Sequence, residues 1–318
     1  WPGATFWMII CGLLGMSTKF VECTLGVQYR DVDEDGTVYG GPMYYISKGL
    51  KERGFEFFGK IAAILFAIFC IGGSFGGGNA AQSNQATIVL KDLMGLESTA
   101  AGAIIGLIIA IIVGIIIIGG IKRIANVTEK VVPFMAVMYL FACLYIILSN
   151  YAFIDDAISL IITEAFNPTA VGVGSVIGVL LVGFKRAAFS NEAGAGSASI
   201  AHSAVKTKYS ASEGLVALLE PFIDTVVICT MTALVIIIFN FGGYFEYGGD
   251  GGMVYIDGVG YEGAGITSKA FAQYIPFSNI FLTIAVVLFA VSTMISWSYY
   301  GLQSWKFIFG RGYYADLT

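Results

Sequence analysis

Hydrophobic positions along the chain fall into long unbroken runs, not into strand-like alternation. Residues 100–119 and 131–149 carry no charge, and each is about the 20 residues that a helix needs to cross a bilayer. Residues 61–90 and 278–301 are also uncharged but longer. At about 1.5 Å per residue, 61–90 would extend roughly 45 Å, so a tilted or protruding helix is expected. Residues 4–27 are apolar except for Lys19 and Glu22, which are three apart and so share one helix face. The run 215–241 has Glu220 and Asp224 near its start.

The segment 172–204 breaks the pattern. Residues 172–184 are apolar but too short to cross alone. Lys185 and Arg186 follow, then Phe189-Ser190-Asn191-Glu192-Ala193-Gly194-Ala195-Gly196-Ser197, then another small-residue stretch. This predicts a helix interrupted in mid-membrane. The expectation is an all-α polytopic membrane protein with seven spans in a single transmembrane unit, 1–318.

Charge gives an independent check on that alternation. Arg30, Lys48, Lys51, Arg53, Lys60, Lys122, Arg123, Lys130, Lys206, Lys208, Lys306 and Arg311 fall on one side, and Lys91 and Lys269 on the other. Twelve against two is a positive-inside signature that puts Trp1 outside and Thr318 in the cytoplasm.

Composition narrows the function classes. Hydrophobic residues make up 57% and charged residues 12% of the 318, against roughly 45–50% and 25% in soluble domains. A disordered chain is excluded and a soluble enzyme fits poorly. No basic patch points to nucleic acid. Cys11, Cys23, Cys70, Cys143 and Cys229 all sit in apolar runs without a C-x-x-C pair and read as packing residues. His202 is the single histidine, so a multi-histidine metal site is impossible within this chain. Asp31-Val32-Asp33-Glu34-Asp35-Gly36 opens like a calcium-binding loop, but Pro42 stands where the bidentate Glu is required, so a polar turn is expected. No signal peptide is visible, and a chain beginning at Trp1 reads as processed or as a fragment.

In lipid, an unwound backbone must be satisfied by protein or ligand, and Gly-interrupted apolar segments point to transporter binding sites. Glu192 either serves such a site or pairs with Lys185, two turns earlier. Gln82 lies at the centre of a polar stripe with Gly78, Asn79 and Gln85; it either contacts a ligand or bonds a neighbouring helix. Ser292, Thr293 and Trp297 share a face of 278–301; hydroxyls suit Na⁺ as hard ligands, but they also bond carbonyls within membrane helices.

Four stretches together closely resemble the alanine or glycine:cation symporter family. They are Pro2-Gly3-Ala4-Thr5-Phe6-Trp7-Met8, Gly40-Gly41-Pro42-Met43-Tyr44-Tyr45-Ile46, Phe189-Ser190-Asn191-Glu192-Ala193-Gly194 with His202, and Ser296-Trp297-Ser298-Tyr299-Tyr300-Gly301. The resemblance implies a LeuT-type inverted-repeat transporter fold. On that numbering the seven spans are helices two to eight, the first helix and those after the eighth are absent, and these 318 residues alone do not transport. It implies Na⁺-coupled symport of alanine or glycine by alternating access, in the inner membrane, with no cofactor beyond the coupling ion. By the same resemblance Phe189, Ser190 and Asn191 match substrate-pocket positions, with Gln82 and Trp297 as further contacts. Ser292 and Thr293 match sodium ligands. The rival classes are a channel, which needs a continuous polar pore, and an intramembrane enzyme, which needs paired Asp or Ser with His at membrane depth.

Overall fold

A computed structural model describes residues 1–166, 176–247 and 252–312. Helix α1 (Pro2–Gln28) starts on a proline in its first turn, where the missing N–H costs nothing. It ends in a two-stranded hairpin, β1 (Asp31–Val32) against β2 (Val38–Tyr39), with Asp31 opposite Tyr39. Helix α2 (Pro42–Glu52) follows, and then α3 (Glu56–Gly73), which passes through a π-helical turn at Ser74–Ala80 into α4 (Ala81–Met94). Gly95, left-handed at φ 65°, closes α4.

Helix α5 (Thr99–Ile117) is capped by the Ser98 hydroxyl, which accepts from the Ala101 N–H at 3.1 Å. Then come α6 (Gly120–Ser149), α7 (Ile154–Phe166), α8 (Val176–Asn191), α9 (Ala198–His202), α10 (Ser210–Ala217) and α11 (Leu219–Pro221). A second π-helical stretch, Phe222–Cys229, leads into α12 (Thr230–Asn240). A hairpin of β3 (Val254–Ile256) and β4 (Val259–Tyr261), then α13 (Ala264–Tyr274) and α14 (Ser278–Phe309), complete the described chain.

Among the described residues, six stretches are long and apolar enough to cross a membrane: Pro2–Gln28, Glu56–Met94, Thr99–Ile117, Gly120–Ser149, Ser210–Asn240 and Ser278–Phe309. The segment expected as an interrupted span, 172–204, has residues 172–175 outside the described residues, and the rest divides into 16-residue α8 and five-residue α9 on either side of 192–197. The expected loop at 120–130 is corrected: it is helical, and Lys122, Arg123 and Lys130 belong to α6. Segments expected as loops contain the amphipathic helix α7 and the shorter α13.

Two apolar clusters hold the helices together. Met43, Ala63, Cys70, Ile105, Ile295 and Tyr300 join α2, α3, α5 and α14, with Ile200 of α9 inserted among them. Cys143, Ile161, Ile238, Phe271 and Leu282 join α6, α7, α12, α13 and the start of α14. Helix α1 packs on α7, α8, α9 and α10. Small residues permit that approach: a Cβ on Gly183 of α8 would stand 2.5 Å from the Ala4 carbonyl oxygen.

Candidate functional site

Helix α8 stops at Asn191, and the chain crosses to α9 through three left-handed residues, Glu192 (φ 56°), Gly194 (φ 85°) and Gly196 (φ 81°). Two are glycines because a Cβ there is strained. At Gly196 a Cβ would also meet Pro42 Cγ at 2.9 Å. Within the break, the Asn191 Oδ1 accepts from the Ala193 N–H at 2.9 Å, and the Glu192 carbonyl accepts from Ala195 and Gly196 at 3.0 and 3.3 Å.

Helix α1 supplies the remaining partners. Lys19 is fully buried and donates to the Asn191 carbonyl at 2.7 Å. Three residues on, the Glu22 Oε1 accepts from the Gly194 N–H at 3.0 Å. The signs follow the helix dipole: a cation meets the carbonyl end of α8 and an anion meets a freed N–H. Lys19 also pairs with Glu220 at 3.0 Å. Glu220 lies 3.6 Å from the His202 Nε2, whose Nδ1 is 2.5 Å from Glu213.

The other face of α8 meets the π-helical stretch before α12. Ser190 Oγ donates to the Asp224 carboxylate and lies 3.3 Å from Cys229 Sγ. Asp224 and Cys229 are five apart, and the i→i+5 winding brings both to Ser190. Asn191 Nδ2 donates to Thr225 Oγ1 at 2.7 Å.

Glu192 does not take Lys185 as its partner. Its carboxylate accepts from Ser197 Oγ at 2.6 Å. Trp297 and Phe189 come to the same π turn, Ser74–Ala80. A Cβ on Gly78 would stand 2.3 Å from the Trp297 Cβ, and one on Gly77 would stand 3.6 Å from the Phe189 ring. Phe189 is 66% exposed. Gln82 is half-buried on α4 just beyond that turn. Asn79 donates to the Ser74 carbonyl at 2.7 Å and accepts from Ser298 at 3.4 Å. Ser292 is buried and donates to the Phe289 carbonyl of its own helix at 2.9 Å, with half-buried Thr293 beside it.

Two cavities flank this region. One, of about 470 Å³, is lined by Thr5, Met8, Arg186, Phe189, Ser190 and Cys229 among others. The other, of about 400 Å³, is lined by Thr128, His202, Glu213, Ser296, Tyr299 and Tyr300 among others. Trp1 also lines the first, whereas the second lies at the far end of the break, beside His202 of α9. Phe189 and Ser190 thus share a cavity. Gln82, Asn191, Ser292, Thr293 and Trp297 do not line it.

Lys19, Glu22, Glu220, Asp224 and Thr225 complete the site, though the sequence assigns none of them a binding role. The signal was present, since four of the five are charges inside apolar runs, where charge is expensive and usually functional.

A profile of the sodium:alanine symporter family, a family of transporters and not of enzymes, matches residues 1–316. The sodium/alanine symporter AgcS of Methanococcus maripaludis is 39% identical over 97% of this chain and 64% of its own length. The amino-acid carrier protein AlsT of Bacillus subtilis is 32% identical over 96% of this chain and 60% of its own length. A further Bacillus subtilis protein, named a probable sodium/glutamine symporter, GlnT, is 33% identical over 94% and 58%. The chain therefore spans less than two thirds of the length of these relatives. Its six apolar helices and these relatives make it a multi-pass protein of the cell membrane.

Proposed function

The chain belongs to the sodium:alanine symporter family, and on that premise we propose that it carries the core of a Na⁺-driven symporter for small neutral amino acids, alanine or glycine first. The fold is read as LeuT-type, with α8 and α9 as the two halves of one broken helix and therefore as one of seven spans. Phe189, Ser190 and Asn191 of the break contact the substrate, with Gln82 and Trp297 from the facing helices. Ser292 and Thr293 offer hard oxygens to Na⁺. On the orientation expected from the basic residues, the cavity at Trp1 opens outside and that at His202 to the cytoplasm, and alternating access exposes the break first to one and then to the other. Binding of the ion and of the amino acid raise each other's affinity.

One observation carries this reading. A helix is unwound among apolar helices, and fully buried Lys19 and half-buried Glu22, of opposite sign on α1, take up its freed carbonyl and N–H. Lipid tolerates unwound backbone only where protein or a water-filled cavity surrounds it, and here cavities lie against both half-helices. The test is uptake of labelled alanine by the purified gene product in proteoliposomes. Accumulation driven by an inward Na⁺ gradient, and absent when K⁺ replaces Na⁺, is the expected result. Uptake indifferent to Na⁺ overturns the reading. Thr293→Ala should raise the Na⁺ concentration for half-maximal uptake; an unchanged Na⁺ dependence makes that hydroxyl structural only.

A further inference from the structure

We propose that Lys19 is the positioning residue of the break, a tethered cation that fixes where the carbonyl end of α8 lies. Its ammonium is fully buried and has two anionic or dipolar partners on different elements, the Asn191 carbonyl at 2.7 Å and Glu220 at 3.0 Å. An ion pair between a fully buried lysine and a half-buried Glu220 is by itself a poor reason to place a lysine there, because an apolar side chain of similar volume is often as stable. The carbonyl contact supplies a reason. The C-terminal end of α8 carries negative partial charge, and a compact ammonium with three donors serves a carbonyl and a carboxylate at once.

Asn191 is also the last residue of α8, directly after Phe189 and Ser190, so the Lys19 contact sets the position of all three. Glu22 on the next turn of α1 holds the far side of the break through the Gly194 N–H. Through Glu220 and His202 the tether continues to the cavity that His202 and Glu213 line. The break cannot swing away from α1 without uncovering a buried cation. The inference deepens the transport reading of the same break and rests on that reading only for its effect on uptake.

The test is backbone hydrogen–deuterium exchange of the purified gene product in detergent. The proteins compared are the parent, Lys19→Met, Lys19→Arg and the double variant Lys19→Met/Glu220→Gln. Amides in 191–197 should exchange about tenfold faster or more in Lys19→Met, while those in 294–303 of α14 keep their rates. Lys19→Arg retains the cation and should recover part of the protection. The double variant leaves no unpaired Glu220 carboxylate, so thermal stability should recover while the break stays fast. That variant carries the test if the single one does not fold.

Two results overturn the proposal: exchange that accelerates equally across α14, or protection of the break that returns with stability in the double variant. Either would make Lys19 only a partner for Glu220. In proteoliposomes, Lys19→Met should raise the half-saturating alanine concentration about tenfold. A parent without Na⁺-driven uptake sinks the transport reading, while the exchange rates still decide the role of Lys19.

Discussion

Two glycine-rich interruptions lie in apolar helices of this protein, and they end differently. Ser74–Ala80 contains Gly76, Gly77 and Gly78 in succession, yet the helix continues through it as a π turn, with right-handed backbone at its flanks. Glu192–Ser197 has only two glycines, yet the helix unwinds completely. Glycine content alone therefore does not decide. At the π turn the neighbour is Trp297, a large ring packed against Gly78 and Gly73. At the break the neighbours are Lys19 and Glu22, which take up a carbonyl and an N–H that the helix has released. An apolar neighbour forces the backbone to satisfy itself, and a charged neighbour of the right sign lets it open.

The sharpest way to break this comparison is to put side chains at both glycines. Gly196→Val should destabilise the protein by about 3 kcal/mol or more, from left-handed strain and overlap with Pro42. Gly76→Ala meets no atom within 4 Å and should stay within about 0.5 kcal/mol. Thermal unfolding in one detergent measures both, and equal losses would dissolve the distinction.

Next in size is Gly78→Ala. It forces a Cβ into Trp297 and should cost about 1–3 kcal/mol, as overpacking does, again read by thermal unfolding. Trp297→Leu addresses the same contact from the other side. In uptake assays unlabelled leucine should then compete with labelled alanine about tenfold better, a change of about 1.4 kcal/mol. Unchanged competition would confine Trp297 to packing on the π turn.

The smallest effect is expected outside both interruptions, where Arg311 bonds Asp31 and Asp33 at 2.6 and 2.7 Å and Lys48 meets Asp31 at 2.5 Å. Partial burial opposes the Asp31 charge, but hydrogen bonds from Lys48 and Arg311 outweigh it and hold the carboxyl below its usual range. A lowered carboxylate contributes stability that is complete above the ordinary value near 3.9 and is lost as pH falls through the lowered one. Arg311→Gln should cost no more than about 1 kcal/mol at neutral pH, as exposed pairs do. The deficit should be flat from about pH 5 to 8 and shrink below about pH 4. A deficit that grows on acidification would contradict this assignment.

The broken segment was legible because Ser190, Asn191, Glu192, Gly194, Gly196 and Ser197 interrupt an apolar run within eight residues, a local signal. Lys19 and Glu22 were legible as a shared face for the same reason. Their partners were not. Lys19 and Asn191 are 172 positions apart, and no periodicity along the chain joins them. Both π-helical stretches escaped too, because i→i+5 winding uses the same residue types as an α-helix. Helix α7 was hidden by Asp155 and Asp156 in its first turn. There they complement the dipole but resemble a polar loop. Helix α6 was cut short at Lys130 because three basic residues within 120–130 outweighed the continuing apolar pattern.

The chain has a single histidine, and the fold places its ring against Glu213 and Glu220, one carboxylate away from Lys19. Isotope-labelled histidine would therefore give one imidazole signal set from residues 1–318, assigned within them without any mutant. A break that exchanges between two arrangements more slowly than the shift difference would split that signal in two. The peak ratio would then give the populations of the two arrangements directly, under any ion or amino acid added.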